Sequence, residues 1–339
     1  MLSILVAAIT SFLIVIIFTP GTIQMLEEKG IYGEDVHKID RPKVPKGGGF
    51  VILFAIVTGL LIVIGMTSFL EQSETVNPAL LAALVSILMA SMIGILDDNL
   101  DFRNRTKVVL PLVASIPMIA LQVGTRTMNI PLIGTIDLGI LYPLAVVPLM
   151  MTFIIDSTNM YGGMNGLESG LAAINSSAVI IYSIMTQVLT DESTSILMDS
   201  GIVAAALFGA VSAFFVFNRF PAKILPGDVG RLPIGATLAA ALIIGNMDRL
   251  AIMLYMPFLL NFVMYLFYRL YVKKTGIEYA KFANVRNDGT LEVTGPFTMY
   301  WLFPHLSNKI TEKKNVRLLM LIQAVLAYGT VVFLLLTYL

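Results

Sequence analysis

Five oxygen-bearing side chains sit at the borders of long apolar runs: Asp97, Asp98, Asn159, Asn165 and Asp228. The first two are neighbours, closing the run Gly94-Ile95-Leu96 and followed by Asn99 and Asp101. Adjacent carboxylates repel one another and are costly to desolvate. A divalent cation or a proton-transfer task would keep them at an apolar boundary. The alternative is a solvated helix end, although carboxylates there oppose the helix dipole. A second stretch runs from Asp156 through Asn159, Gly162, Gly163, Asn165, Gly166 and Glu168 to Gly170, with no Lys or Arg. Its glycines allow tight turns and close approach of a ligand, and its amides offer both donors and acceptors; a flexible connector is the plain reading. A third, Pro226-Gly227-Asp228-Val229-Gly230-Arg231, presents one carboxylate between glycines. That is a common turn, and equally a way to offer oxygen to a hard cation such as Mg²⁺, which keeps water and phosphate oxygens in its shell.

Other chemistries are poorly served. The chain has no Cys, and His37 and His305 are its only histidines, so a Cys/His zinc site is not available. Gly47-Gly48-Gly49 enters an apolar run with no strand before it, so it is not a phosphate loop of the Walker or dinucleotide type. Net charge is zero, so no basic field points to nucleic acid. Carboxylates, a hard cation and lysines at the edge of a bilayer suggest phosphoryl chemistry on a lipid.

The elements that must position these groups are membrane helices. Of 339 residues, 57% are hydrophobic and 13% charged, against about 25% charged in soluble domains. The fold class expected is an all-α polytopic membrane protein. A span needs about 20 mostly apolar residues, and ten candidates lie near 2–20, 49–69, 79–96, 108–123, 140–155, 171–189, 201–217, 233–245, 250–272 and 316–338. The first lacks a basic leader and a clear cleavage motif and is expected to be retained as a helix. Lys and Arg concentrate in alternate loops: Lys29 to Lys46, Arg103 to Lys107, Arg219 to Arg231, and Lys273 to Arg317. The other loops carry only Arg126 and Arg249. The positive-inside rule then puts the acidic and amide-rich segments on the cytoplasmic face and both termini outside. Thr127 to Gly139 reads as an outside hairpin with Pro131 and Gly134 near its turn. Residues 273–315 are too long for a plain connector; Asp288-Gly289 signals a hairpin there, and Phe297 to Phe303 suits a membrane interface. Residues 1–339 read as a single domain, with 273–315 expected to recognise substrate.

These residues resemble the polyprenyl-phosphate N-acetylhexosamine-1-phosphate transferases over most of the chain. Asp97-Asp98, with Lys107 nine residues on, is similar to the family's aspartate pair. Asn159-Met-Tyr-Gly-Gly-Met-Asn165-Gly-Leu-Glu168 is similar to the NILAGINGLE stretch of its dolichyl-phosphate N-acetylglucosamine branch. Pro226-Gly227-Asp228 resembles the family's glycine-aspartate loop, and Lys38 to Gly49 its first cytoplasmic loop. The resemblance implies transfer of N-acetylglucosamine-1-phosphate from a UDP-sugar to a polyprenyl or dolichyl phosphate, releasing UMP. This would be the first membrane step of lipid-linked glycan assembly in an archaeal or eukaryote-like branch. It implies Mg²⁺, with Mn²⁺ as a substitute, on Asn159 and Asp228; nucleotide contacts from Gly163 and Asn165; and catalytic roles for Asp97, Asp98 and Lys107. Direct in-line attack by the lipid phosphate is preferred, since such a phosphate is already largely ionised at neutral pH; a phospho-aspartate route stays open, as does homodimerisation. The histidine cluster and the Arg-His-Arg set of relatives are missing from the last long loop. Glu168, Lys281, Arg286 and His305 are the candidates for sugar or phosphate contacts. Leu225 stands where relatives stack an aromatic on uracil. Competing classes are a transporter, which would want ionisable groups at mid-membrane, and a CDP-lipid phosphatidyltransferase, whose spaced aspartate pattern is absent. The carboxylates here sit mostly at helix ends, and Asp156 and Arg269 are the only ionisable residues in question, which disfavours transport.

Overall fold

The computed structural model describes residues 1–70, 77–130, 133–190 and 195–337. The helices are α1 (Leu2–Glu28), α2 (Gly49–Leu70), α3 (Pro78–Leu100), α4 (Asn104–Ala114), α5 (Ile116–Ala120), α6 (Val147–Met160), α7 (Leu167–Thr190), α8 (Ser195–Asn218), α9 (Asp228–Ile244), α10 (Asp248–Leu254), α11 (Met256–Thr275), α12 (Met299–Leu306) and α13 (Glu312–Leu336). Three antiparallel hairpins join them: β1 (Tyr32–Glu34) with β2 (Lys43–Pro45), β3 (Thr127–Ile130) with β4 (Gly134–Asp137), and β5 (Asn284–Val285) with β6 (Leu291–Glu292). The expected hairpins within Thr127 to Gly139 and at Asp288-Gly289 thus form, with Gly289 at φ +79°; Pro131 lies outside the described residues.

Seven helices are long and apolar enough to cross a bilayer, and eight if the bent pair α10–α11 is one span. The pair bends by 50° at Tyr255, just before Pro257, whose ring cannot continue the preceding ladder. Thr106–Ala120 is apolar but shorter, and it breaks at Ser115 ahead of Pro117. The 17-residue α9 reaches only about 25 Å at 1.5 Å per residue. It survives as a short helix because protein surrounds it: nearly every residue from Val229 to Ile244 is buried, between α3, α6 and α8. Gly94 makes the α3–α9 approach possible, since a Cβ there would collide with the Asp228 carbonyl. Farther along the bundle Gln323 of α13 donates to Asn175 of α7 at 2.6 Å and to the Leu254 carbonyl of α10 at 3.0 Å, fastening three helices where water is scarce.

Two expected boundaries move. The segment read as a loop from Asp156 is helical to Met160, and Asp228 to Arg231 forms the first turn of α9. In both places polar residues extend an apolar helix, which hydropathy alone truncates. Phe297 to Phe303 packs against the protein. Trp301 of α12 is buried, and Phe297, just before that helix, stacks on the buried Tyr268 of α11 at 4.6 Å.

Candidate active site

One end of α3, α6 and α9 delivers the acidic and amide residues to one place. Asp97 and Asp98 occupy the last turn of α3. Asn159 ends α6, and Asp228 begins α9. The segment 45–49 is pinned beside them by backbone bonds from Leu225 to Pro45 (2.8 Å), Gly47 to Leu225 (3.0 Å) and Gly49 to Pro226 (2.9 Å). This carries Lys46 to Asp98, with Nζ to Oδ1 2.8 Å.

The aspartate pair divides its work. Asp97 is 5% exposed; its Oδ1 faces Lys107 Nζ at 2.8 Å and accepts from the Phe102 amide at 3.0 Å. Asp98 turns the other way: its Oδ2 accepts from the Val229 amide at 2.9 Å, at the start of α9. Gly227 permits that contact, with φ +71° and a position where a Cβ would stand 2.9 Å from Asp98 Oδ2. The pair therefore ties α3 to a lysine on one side and to the Asp228 turn on the other.

The glycine-rich segment between α6 and α7 hangs from two carboxylates. The Gly163 amide donates to Glu168 at 2.9 Å and the Asn165 amide to Glu312 at 2.8 Å. Each carboxylate is countered by a cation. Glu168 meets Arg231 at 2.7 Å; Glu312 meets Lys38, which also faces Asp35 at 3.0 Å. The Asn165 side chain donates to Asp35 at 2.8 Å and is 4% exposed. Its amide is spent inside the protein. Beside it the His37 ring is 3% exposed and stands edge-on to Phe282 at 5.9 Å, and neither ring nitrogen has a hydrogen-bond partner among the described residues.

These segments enclose a cavity of about 440 Å³. Lys107, Asn159, Gly163, Asp228, Arg231 and Lys281 line it, with Arg269, Tyr265, Tyr279, Tyr300 and Trp301 on the far wall. The Arg269 guanidinium lies over the Tyr279 ring at 5.0 Å. Burial raises the Tyr300 phenol to about 12, so it stays a neutral donor. Asp97, Asp98 and Asn165 support this cavity without lining it, and so does Glu168. Arg286 is elsewhere, on the β5–β6 hairpin with Glu292 at 3.1 Å, and His305 is exposed on α12. Leu225 does not face the cavity. Sequence reading missed Arg231, Lys46, Asp35, Lys38 and Glu312 as members of the site. In sequence Arg231 only ends the glycine-aspartate segment and the lysines are loop charges, and the partners Glu168, Asp98 and Glu312 are far away along the chain.

The donors suit a hard cation. Asp228 brings a carboxylate and Asn159 an amide oxygen to one cavity. Among the described residues no three His, Asp or Glu side chains converge as an all-protein cage. A cation such as Mg²⁺ that shares its shell with water and substrate phosphates needs no such cage.

Comparison with known proteins gives the family. The profile of glycosyl transferase family 4 matches residues 80–246, from α3 through α9 and so across Asp97, Lys107, Asn159 and Asp228. A protein of Saccharolobus solfataricus, provisionally named a UDP-N-acetylglucosamine–dolichyl-phosphate N-acetylglucosaminephosphotransferase, is 32% identical over 86% of this chain and 84% of its own length. One of Sulfolobus acidocaldarius with the same provisional name is 32% identical over 78% of each chain. The Dictyostelium discoideum UDP-N-acetylglucosamine–dolichyl-phosphate N-acetylglucosaminephosphotransferase is 25% identical over 72% of this chain and 67% of its own. With helices fit to cross a bilayer and similarity over most of its length to these relatives, the chain is an integral membrane protein that belongs to glycosyl transferase family 4.

Proposed function

We propose that the protein transfers N-acetylglucosamine-1-phosphate from UDP-N-acetylglucosamine to a polyprenyl or dolichyl phosphate and releases UMP. The observation that carries this reading is the charge of the cavity. Its lining holds four cations, Lys107, Arg231, Arg269 and Lys281, against one carboxylate, Asp228, in a chain whose formal charges cancel as a whole. Such a lining favours a ligand with several negative charges, and a sugar nucleotide facing a lipid phosphate is one. The names of the relatives supply the sugar and the lipid class.

An apolar groove of about 400 Å³ supports the lipid half. Leu149 and Phe153 of α6 face Ile252, Tyr255 and Leu259 of α10–α11 across it. Phe153 lies on the same helix as Asn159, about 9 Å along its axis at 1.5 Å per residue. A prenyl chain in the groove would bring its phosphate to the Asn159 end.

In this reading an oxygen of the lipid phosphate attacks the sugar-bearing phosphorus. A new P–O bond forms there, the pyrophosphate P–O bond breaks, and UMP leaves with the bonding pair. Lys107 holds the incoming phosphate, and Asp97 holds Lys107. Asp98 positions the Asp228 turn. With both aspartates engaged as acceptors of lysine and backbone donors, direct attack needs no aspartyl intermediate. Asn159 and Asp228 would hold Mg²⁺, which when bound draws charge from the pyrophosphate oxygens. The Lys- and Arg-rich loops support a cytoplasmic position for this end of the bundle.

The test is Asp228→Asn in purified protein. UMP release that depends on Mg²⁺ should vanish while the protein elutes and melts as the wild type does. Retained metal-dependent turnover removes Asp228 from the metal site.

A further inference from the structure

We propose that Arg231 binds the substrate's phosphates directly: its guanidinium, held by Glu168, presents free donors into the cavity beside Asp228. This rests on the transferase reading above.

The position is an expensive one for a cation. Arg231 lies in the first turn of α9, where the helix dipole disfavours positive charge. Glu168 offsets that cost at 2.7 Å, and is itself 3% exposed and fixed by the Gly163 amide. A merely structural link between α7 and α9 would be served as well by an apolar pair, since a buried ion pair seldom adds stability over one. The guanidinium is also not spent. It has five N–H donors. Nη2 pairs with Glu168, while Nη1 stands 3.7 Å from Asp228 Oδ1, beyond hydrogen-bond range. Nε is buried with no partner among the described residues. The side chain is 24% exposed and lines the cavity together with Lys107.

This is how an anion-binding arginine is mounted: one edge anchored on a buried carboxylate, the other left open to a polar cavity. The planar fork matches a phosphate bidentately, which an ammonium cannot do. Placed next to Asp228, it would meet a phosphate held at the same point by the cation. Glu168 then acts as a positioning residue for both Arg231 and the glycine-rich segment.

The experiment measures UDP binding by calorimetry, with Mg²⁺ present, for wild type, Glu168→Gln, the double variant Glu168→Gln/Arg231→Met, and Arg231→Lys. Glutamine keeps an acceptor for the Gly163 amide, so the double variant leaves no orphan charge. A lost charge-assisted hydrogen bond corresponds to about tenfold or more in affinity. The double variant should therefore bind UDP about tenfold more weakly than Glu168→Gln alone. Uridine should compete equally well in both. Arg231→Lys, which keeps the charge and loses the fork, should bind UDP more weakly than wild type; it also decides the matter if the double variant does not fold. Equal UDP affinity in the double variant and Glu168→Gln, or in Arg231→Lys and wild type, overturns the proposal. A wild type that binds UDP but turns over no UDP-hexosamine defeats the transferase reading alone, and the UDP comparison still judges Arg231. A wild type that binds no UDP defeats both.

Discussion

Asp98 separates a positioning role from a chemical one. In the structure it does two things: Oδ2 accepts from the Val229 amide at 2.9 Å, and Oδ1 pairs with Lys46 at 2.8 Å. The lysine is 40% exposed, so solvent screens the pair and its loss costs about 0.5–1 kcal/mol. The amide bond lies at the start of α9, where a lost cap costs about 1–2 kcal/mol. Asp98→Asn keeps an acceptor oxygen and gives up the pair; Asp98→Ala gives up both. The alanine variant should thus be the worse by about 1.5 kcal/mol in placing the Asp228 turn, or roughly tenfold in turnover. The assay is initial-rate UMP release with saturating lipid phosphate, run beside a thermal unfolding curve for each variant. Lys46→Met should resemble Asp98→Asn. If asparagine abolishes turnover as completely as alanine while Lys46→Met is harmless, the carboxylate itself takes part in the chemistry and the positioning argument is wrong.

Other expectations follow from the same geometry. Burial lowers the His37 imidazole to about 4 from its ordinary 6.5, so between these values the unfolded chain binds a proton that the folded one refuses. Stability is fully present above about pH 6.5 and falls by up to roughly 3 kcal/mol as pH drops to about 4. His37→Phe should flatten that dependence in thermal inactivation measured from pH 7 to 4.5, and an unchanged slope would assign it to other groups. Gly94→Ala should push α9 from α3, because the new Cβ meets backbone at Asp228; a shift of about 1 Å there can cost about a hundredfold in rate, while overpacking destabilises by about 1–3 kcal/mol. Full activity in Gly94→Ala would mean that the approach is looser than drawn. Lys107→Gln should lower turnover far more than it lowers UDP affinity, since Lys107 is assigned to the incoming lipid phosphate; an equal loss in both would move it to the nucleotide.

The sequence made the apolar runs legible because lipid-facing helices need little else, and the Asp288-Gly289 hairpin legible because its backbone demands are local. Helix ends were harder. Asp156 to Met160 and Asp228 to Arg231 are polar, yet each continues a helix that protein contacts stabilise. Which acids face the cavity was not readable at all. Asp97 and Asp98 are neighbours, but α3 turns one toward Lys107 and the other toward Val229, 131 positions away. Asn165 sits between two motif glycines, and its amide is consumed by Asp35, 130 positions away. Arg231 reads only as the end of the glycine-aspartate segment, because its partner Glu168 belongs to another motif. Pairings of this kind are set by helix packing, which periodicity does not encode.

The most direct test of the central claim follows two labels through one reaction. Purified protein is given Mg²⁺, a polyprenyl phosphate, and UDP-N-acetylglucosamine labelled both in uridine and at the sugar-bearing phosphorus. The account predicts that the uridine label stays in water as UMP while the phosphorus label moves with the sugar into the lipid product. Release of the phosphorus label as UDP, with only sugar entering the lipid, would contradict it, as would no transfer at all.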